Sequence, residues 1–288
     1  MSLIERAAAR ALEEQMRQAA PDAAMPDGSN EQHDGEVHKA EPVVLSEQHL
    51  LQHGCLTKTD NTSALAQDYR RIKRPLLFNL RTQIQQHGHP AGANLIMVTS
   101  ALPGEGKSFV AANLALSIAA EIDQTVLLID ADVAKRGAAA TLGIDRLPGL
   151  LDVVVGERTL EDVLVKTDVG NLSFLPAGAS RTNADELYAS DAMRELIVEM
   201  GTRYSDRVLI FDTPPVFATN VPSILVKMMG QLVFVVEADK SPQELVEDAL
   251  RRLEGCEHVG LVLNKASRRM PGHGYGHGYG YGYGYGYN

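Results

Sequence analysis

Short, continuously apolar runs recur along the middle of the chain and alternate with stretches of helical spacing. Because strands buried on both faces read as unbroken apolar runs, these runs predict a parallel sheet. The predicted strands are 95–100, 125–132, 171–178, 207–215, 231–238 and 258–265, and the predicted helices are 107–121, 184–204 and 242–255. The pattern predicts an α/β fold with a doubly wound, mainly parallel sheet and helices on both faces.

The composition divides the 288 residues into three regions. Residues 1–63 are polar and acidic, and they predict an N-terminal helix followed by a disordered linker. That first helix is either a frayed surface helix or a docking peptide for a partner. Residues 64–268 carry the alternating pattern and form the predicted globular domain. Residues 269–288 repeat glycine and tyrosine, cannot bury a core, and predict a disordered tail.

Charge and cysteine content narrow the function classes. The net charge of −10 argues against binding to nucleic acid or to an anionic membrane surface, but it leaves docking on a membrane protein open. No apolar run approaches the ~18 residues of a membrane span, and the first residues lack a signal-peptide core, so we expect a cytoplasmic protein. Cys55 and Cys256 lie far apart and predict two reduced structural thiols.

A glycine-rich turn stands between the predicted strand 95–100 and the helix after it. It reads ALPGEGKS over 101–108, which is the arrangement of a P-loop with alanine in place of the first glycine. The glycines let backbone amides approach phosphate oxygens, and the helix points its positive end at the same anion. The alternative is a structural turn that matches by chance. The predicted contacts to ATP are Pro103, Gly104, Glu105, Gly106, Lys107, Ser108 and Phe109.

Three aspartates stand at the ends of predicted strands. Asp130 and Asp132 end one strand, and Asp212 ends another. Because the carboxyl ends of parallel strands gather on the ligand side of a doubly wound sheet, one carboxylate there can hold Mg²⁺ and another can accept a proton. The alternative for a lone aspartate is a cap or a turn. We predict Lys107, Asp130, Asp132 and Asp212 as catalytic residues and Ser108, Asp130 and Asp212 as Mg²⁺ ligands.

Together these motifs resemble the bacterial tyrosine kinases of exopolysaccharide and capsule loci. The resemblance covers about residues 68–288 and rests on SALPGEGKS, VLLIDADVAK, VLIFDTPPV and the terminal tyrosines. It implies a P-loop NTPase fold related to MinD and ParA, and an ATP-dependent protein-tyrosine kinase that regulates exopolysaccharide synthesis or export. The opening MSLIERA looks like the stand-alone subgroup. That implies a membrane chain-length regulator as activator, a tyrosine phosphatase as partner, and peripheral association with the inner membrane through a partner.

Carried over by position, the resemblance gives the lysine, serine and three aspartates above the same roles. The family often has Arg-Lys-Pro after the second motif, whereas this chain has Ala134-Lys135-Arg136, so only the lysine matches. The last strand is followed by Asn264, which we expect to contact adenine. A family helix that builds a ring-type homo-oligomer has its counterpart in a set of charged residues, for which a solvated helix surface is the alternative. These residues are Asp68, Arg71 and Arg74.

The tail supplies the predicted phosphorylation sites. It follows the last strand, and about 24 extended residues reach up to ~80 Å, which is enough to enter the site of a neighbouring subunit. We therefore expect phosphorylation in trans within an oligomer, with Asp132 or Asp130 accepting the tyrosine proton. Each phosphate adds about −1.5 to −2 charges, so repulsion would drive phosphorylated subunits apart. The sites are Tyr275, Tyr279, Tyr281, Tyr283, Tyr285 and Tyr287.

Three other functions fit parts of the sequence. A MinD/ParA-like positioning ATPase would have a second lysine early in the P-loop, where this chain has Leu102. A tail that binds nucleic acid by stacking would couple aromatic residues to Arg or Lys, and residues 272–288 contain neither. A regulatory P-loop protein without kinase activity remains the third alternative, which ATP turnover would separate from a kinase.

Overall fold

The computed structural model describes residues 42–60, 62–88, 90, 92–144 and 147–267. Within these ranges the strands are β1 Leu95–Ser100, β2 Thr125–Asp130, β3 Val165–Lys166, β4 Leu172–Leu175, β5 Arg207–Asp212, β6 Gln231–Glu237 and β7 His258–Asn264. They form one sheet in the order β3-β4-β2-β5-β1-β6-β7. Only β3 and β4 pair antiparallel, so the predicted mainly parallel sheet is confirmed.

Helices pack on both faces of this sheet. They are α1 Glu47–Gln52, α2 Ala64–His87, α3 Lys107–Ala119, α4 Gly137–Leu142, α5 Leu150–Val154, α6 Leu160–Val163, α7 Ala184–Tyr188, α8 Asp191–Arg203, α9 Val221–Leu225 and α10 Gln243–Arg252, with a 3-10 turn at Val226–Met228. Alternate residues of β1 serve opposite faces: Ile96 and Val98 join the core under α2 and α3, while Leu95 and Met97 join the core under α8. This is why the buried strands read as unbroken apolar runs.

The segment 42–60 differs from the disordered linker predicted for it. Leu50 and Leu56 are buried in the same core as α3, and the Leu56 amide donates to Asn113 Oδ1 at 2.7 Å. Val43 bridges to Thr167 beside β3. The folded unit therefore includes residues before the predicted boundary at 64, because a few apolar side chains in a polar stretch reach the core. The N-terminal helix and the tyrosine tail lie outside the described residues.

The helix predicted over 184–204 is divided in two. Ser190 adopts an extended conformation and its hydroxyl accepts a hydrogen bond from the Met193 amide, so it caps a new helix, α8. Asn183 precedes α7, and its side chain makes no capping hydrogen bond. Ser190 fits the continuous helical pattern of the sequence, and only its capping hydrogen bond divides the helix.

α2 carries the charged residues predicted for oligomerisation. Its apolar side packs on the core through residues such as Tyr69 and Leu80, while Arg71 and Arg74 are exposed. Asp68 accepts from Arg71 at 3.4 Å, one turn apart on the helix. The three side chains thus share the outer side of the helix, and ring formation stays a prediction. Across the described ranges no helix combines the length and the apolar character that crossing a membrane requires.

Both cysteines are free thiols, as the sequence predicted. Cys55 is buried, and this burial raises the pKa of its thiol to about 11, with Asn113 opposing the shift. Cys256 is partly buried, and its pKa is raised for the same main reason. Thiols with raised pKa values are poor nucleophiles at neutral pH, so both residues act as packing groups.

Candidate active site: a glycine-rich loop beside three buried aspartates

The turn between β1 and α3 has the conformation that its glycines were expected to allow. Gly104 and Gly106 have φ values of 93° and 95°, where any other side chain would be strained. Gly106 immediately precedes α3, so the first amides of this 13-residue helix face the turn. A Cβ at Gly106 would also lie 2.1 Å from Asn264 Nδ2. Backbone conformation and close packing therefore both require glycine at this position.

Glu105 braces the loop from within. Its buried carboxylate accepts from the Leu102 amide at 2.7 Å and from the Ser241 hydroxyl. From the end of β7, Asn264 Nδ2 donates to the Glu105 carbonyl at 2.8 Å, and Lys265 Nζ donates to the neighbouring Gly104 carbonyl at 2.7 Å. Ser241 and Lys265 are not predictable from the sequence, because nothing local distinguishes a serine or lysine that contacts a loop more than 130 residues away.

Lys107 lies between two of the predicted aspartates. Its Nζ is 2.8 Å from Asp132 Oδ2 and 3.7 Å from Asp212 Oδ1. Burial opposes the charged form, but Asp212 and Asp132 together outweigh it, so the pKa of Lys107 is raised. The ammonium is therefore charged at neutral pH and is held at the edge of the phosphate loop.

Asp130 and Asp212 are register neighbours at the ends of β2 and β5. Asp130 Oδ1 accepts from the Asp132 amide at 3.0 Å, and Oδ2 accepts from the Ala139 amide at 3.2 Å. Both oxygens of Asp212 are buried and have no hydrogen-bond partner among the described residues. Burial raises the pKa of both carboxyls; the charge of Asp212 adds to the effect at Asp130, while Lys107 opposes it at Asp212.

Ser108 and Asp212 border one space beside Gly137. A Cβ at Gly137 would lie 2.2 Å from Ser108 Oγ and 3.7 Å from Asp212 Oδ2. A hydroxyl and an unpartnered carboxylate around one space suit Mg²⁺, which also takes phosphate and water oxygens. No set of three His, Cys, Asp or Glu side chains in the described part of the chain is placed to hold an ion unaided. The residues present therefore fit Mg²⁺ that arrives with a nucleotide.

The other predicted contacts to ATP, Pro103, Phe109 and Asn264, lie at different places around the phosphate loop. Pro103 is exposed on the loop. The ring of Phe109 packs edge-on against Tyr69, with centroids 6.5 Å apart, so its side chain faces α2 and its backbone stays in the first turn of α3. Asn264 reaches the phosphate loop rather than standing apart from it. Its contact to adenine, and the role of Asp130 as a metal ligand, stay predictions.

Chemically, this arrangement can transfer a phosphoryl group. Backbone amides, a helix N-terminus and one buried ammonium supply positive charge for phosphate oxygens. Asp132 lies beside that ammonium and also accepts from the Lys135 amide at 3.1 Å, so its carboxylate is held in place by two donors. Positioning and charge neutralisation are what phosphoryl transfer requires of a protein.

Comparison with known proteins places this site in a family. An AAA domain family model matches residues 93–246. The putative tyrosine-protein kinase EpsB of Ralstonia nicotianae is 38% identical over 201 residues, which are 69% of this chain and 26% of EpsB. The chain thus spans about a quarter of the length of that relative. Tyrosine-protein kinase YwqD of Bacillus subtilis is 31% identical over 216 residues, which are 74% of this chain and 86% of YwqD.

A solved structure agrees with these matches. The crystal structure of the VpsO kinase domain has 29% sequence identity and a TM-score of 0.57, and the match covers 69% of this chain and all of that domain. Residues 93–246, which the AAA domain family model matches, include the phosphate loop and the three aspartates. This chain belongs to the bacterial tyrosine-kinase family, as a P-loop protein with an AAA domain.

Proposed function

We propose that the chain is an ATP-dependent protein-tyrosine kinase that phosphorylates its own C-terminal tyrosines. The observation that carries this proposal is the position of Lys107, charged and held between Asp132 and Asp212 at the edge of a P-loop. The names of the relatives support the activity, since EpsB and YwqD are both called tyrosine-protein kinases. The acceptors are Tyr275, Tyr279, Tyr281, Tyr283, Tyr285 and Tyr287.

In this mechanism the phosphate loop would bind ATP. Two of the three aspartates would bind Mg²⁺, and the third would accept the tyrosine proton. Mg²⁺ bound with ATP supplies further charge neutralisation for the transferred phosphoryl group. Ser108 and Asp212 would hold the ion, and Asp130 would contribute through water. The loop amides and Lys107 would bind the β- and γ-phosphates, and Asn264, which contacts the loop, is the proposed contact to adenine.

Asp132 is the residue that orients the tyrosine hydroxyl and accepts its proton. A tyrosine hydroxyl has a pKa near 10, so it is mostly protonated at neutral pH. Both aspartates already accept a hydrogen bond at each oxygen, so the choice between them rests on position: Asp132 contacts Lys107, whereas Asp130 accepts only from backbone amides. The carboxylate of Asp132 lies at the edge of the loop beside Lys107, where the γ-phosphate is expected.

The tail of one chain enters the catalytic site of another copy of the chain. It continues from the end of β7, directly beside the phosphate loop that Asn264 and Lys265 contact. A ring-type homo-oligomer assembled through Asp68, Arg71 and Arg74 would place one tail near the next site. Phosphorylation of several tyrosines adds enough negative charge to loosen such a ring.

The biological setting follows from the resemblance to kinases of exopolysaccharide loci. The kinase regulates exopolysaccharide synthesis or export, is activated by a membrane chain-length regulator, and is reset by a tyrosine phosphatase. It is cytoplasmic and reaches the inner membrane through that activator. No nucleic acid is involved, in keeping with the net charge of −10.

Mass spectrometry of the purified chain after incubation with Mg-ATP tests the activity. We expect several phosphates on the tail tyrosines, and we expect Lys107→Met to reduce them by at least about 100-fold, because the charge on the transferred phosphate is then not balanced. Lys166→Met removes an exposed lysine from β3 and should leave the phosphates unchanged. Undiminished phosphotyrosine in Lys107→Met would refute the assignment. ATP hydrolysis without any phosphotyrosine would favour a positioning or regulatory ATPase instead.

A further inference from the structure

A second pocket lies beyond the carboxyl ends of β2 and β4, next to the phosphate loop. Its volume is about 300 Å³, and two arginines, Arg136 and Arg158, are part of its wall. We call it the Arg136–Arg158 pocket. Arg136 belongs to the loop after β2 that carries Asp132. The rest of the pocket wall comes from residues before, within and after α5 and from the two residues 178–179 that follow β4. The mechanism proposed above uses neither arginine.

The two acidic residues of the pocket wall both pair with Arg181. The Asp152 carboxylate accepts from the amides of Gly149 and Ala179 at 2.8 and 3.2 Å and from Arg181 Nη2 at 2.9 Å. Glu157 accepts from the same Arg181 at 2.7 Å. Arg181 balances one of the two negative charges, so the pocket keeps an excess of positive charge only because Arg136 and Arg158 are both present.

Arg136 has an unused donor at this place. It adopts a left-handed backbone conformation with φ of 52°, and its Nη2 donates to the Gly178 carbonyl at 2.9 Å. Its Nε is buried and has no hydrogen-bond partner among the described residues. Because Nε is enclosed by the protein, a ligand in the pocket would pair with the rest of the guanidinium group, and such groups pair most strongly with carboxylate and phosphate oxygens. Arg158 is exposed beside it and supplies a second cation.

The pocket also lies at a useful distance from the site of phosphoryl transfer. Arg136 immediately precedes Gly137, which packs against Ser108 Oγ, and consecutive Cα atoms are about 3.8 Å apart. Along the tail, every second residue from Tyr279 to Tyr287 is a tyrosine. In an extended peptide, side chains two residues apart share one side at a spacing of about 6.6 Å. An extended tail with one tyrosine at the phosphate loop therefore has further tyrosines on the same side at this spacing, and Arg136 is one residue from the glycine that packs against the loop.

We propose that the Arg136–Arg158 pocket binds a phosphotyrosine of a second copy's tail while a nearby tyrosine of the same tail occupies the catalytic centre. This inference rests on the proposed kinase function and adds a preference for tails that already carry a phosphate. Once one tyrosine is phosphorylated, the pocket retains that tail while further tyrosines are phosphorylated. Residues 272–288 contain no Asp, Glu, Lys or Arg. The phosphate on a modified tyrosine is therefore the feature of the tail that the arginines recognise.

A binding measurement tests this without any phosphoryl transfer. A labelled peptide of residues 280–288, with or without phosphate on Tyr283, is titrated with the dephosphorylated full chain. Mg-ADP is present so that the P-loop does not take the phosphate. We expect the phosphopeptide to bind about 10-fold more tightly, as charge-assisted hydrogen bonds to phosphate predict. Arg158→Gln should remove most of this preference, and so should Arg136→Gln. Arg194→Gln, an exposed arginine on α8, should keep it.

Equal binding of both peptides by the wild-type chain would overturn the proposal. So would an undiminished preference in both arginine variants. Arg158 is exposed, so its variant should fold normally, and thermal melting checks this for Arg136→Gln.

The proposal makes a second prediction, for the phosphorylation time course. Wild-type chains with several phosphates should appear while unphosphorylated chains remain, whereas Arg158→Gln should first accumulate chains with one phosphate. Identical distributions would contradict the proposal. Absence of all phosphotyrosine in the wild-type chain would instead contradict the kinase function, so the two failures are distinguishable.

Discussion

Replacing Asp212 by Asn should stabilise the ligand-free protein while it abolishes catalysis. Asp212 is fully buried, neither of its oxygens has a hydrogen-bond partner among the described residues, and its pKa is raised chiefly by burial. Among the described residues around it, Lys107 is the cation that balances the negative charges of Asp212, Asp132 and Asp130. The substitution removes one charge of this excess and leaves the 2.8 Å contact between Lys107 and Asp132 in place.

Asn at this position is still a buried polar group without a hydrogen-bond partner, so the magnitude follows from the extra cost of burying the negative charge, reduced by its 3.7 Å contact with Lys107. That cost is about 1–3 kcal/mol, and each kcal/mol shifts the melting temperature of a domain of this size by about 2–4 °C. Thermal melting without nucleotide should therefore show a rise of about 2–12 °C for Asp212→Asn. Mg-ADP should raise the melting temperature of the wild-type chain, and it should do so much less for the variant, which loses a ligand of Mg²⁺.

Asp130→Asn is the matched control, since it makes the same chemical change on the neighbouring strand. Both oxygens of Asp130 accept backbone amides, so an Asn side chain would turn its NH₂ toward one of these donors. The melting temperature of Asp130→Asn should therefore lie below that of Asp212→Asn. A ligand-free Asp212→Asn that melts below the wild-type chain would refute this reasoning, because the carboxylate would then contribute more through Lys107 than its burial costs.

Three further outcomes are expected. The raised pKa values of Asp130 and Asp212 mean that the folded state holds protons that the unfolded state has released, so ligand-free stability should fall as pH rises from about 4 to about 7; a pH series of melts should show a smaller fall in Asp212→Asn, and equal slopes would contradict this. Gly106→Ala should lose nucleotide binding by calorimetry, because a Cβ there meets Asn264 Nδ2 at 2.1 Å; unchanged affinity would show that the loop moves freely. Glu105→Ala should raise the KM for ATP about 10-fold, since the Leu102 amide and the Ser241 hydroxyl both lose their acceptor, and an unchanged KM would contradict the bracing role.

The sequence predicted the features whose signals are local. The apolar runs of β1, β2, β5 and β6 marked the strands because each of these strands is buried through its own residues. The apolar run of β7 marked a strand too, although β7 is at the sheet edge and Val259, Leu261 and Leu263 are exposed. The glycine turn and the aspartates are recognisable in the sequence because residue type, together with a position directly after a strand, is enough to predict a phosphate loop and its acidic partners. Their convergence around Lys107 followed from the parallel order of the strands, since carboxyl ends of parallel strands meet at one edge.

The features that the sequence did not predict depend on distant contacts. Leu50 and Leu56 belong to a polar stretch, and only the packed structure shows that they enter the core. Ser190 breaks a helical pattern through one capping hydrogen bond. The bracing of Glu105 by Ser241, and the neutralisation of Asp152 by Arg181, each join residues far apart along the chain. No periodicity or motif encodes such pairs.

Phosphate transfer between two distinguishable full-length chains tests the central claim most directly. Wild-type chain labelled with ¹⁵N is mixed with unlabelled Lys107→Met chain and Mg-ATP, and intact mass then assigns each phosphate to its chain. We expect phosphotyrosine on the tail of the unlabelled, inactive chain. The same inactive chain should stay unphosphorylated when it is incubated alone. Phosphate confined to the labelled chain would contradict transfer in trans, and its absence from both chains would contradict the kinase itself.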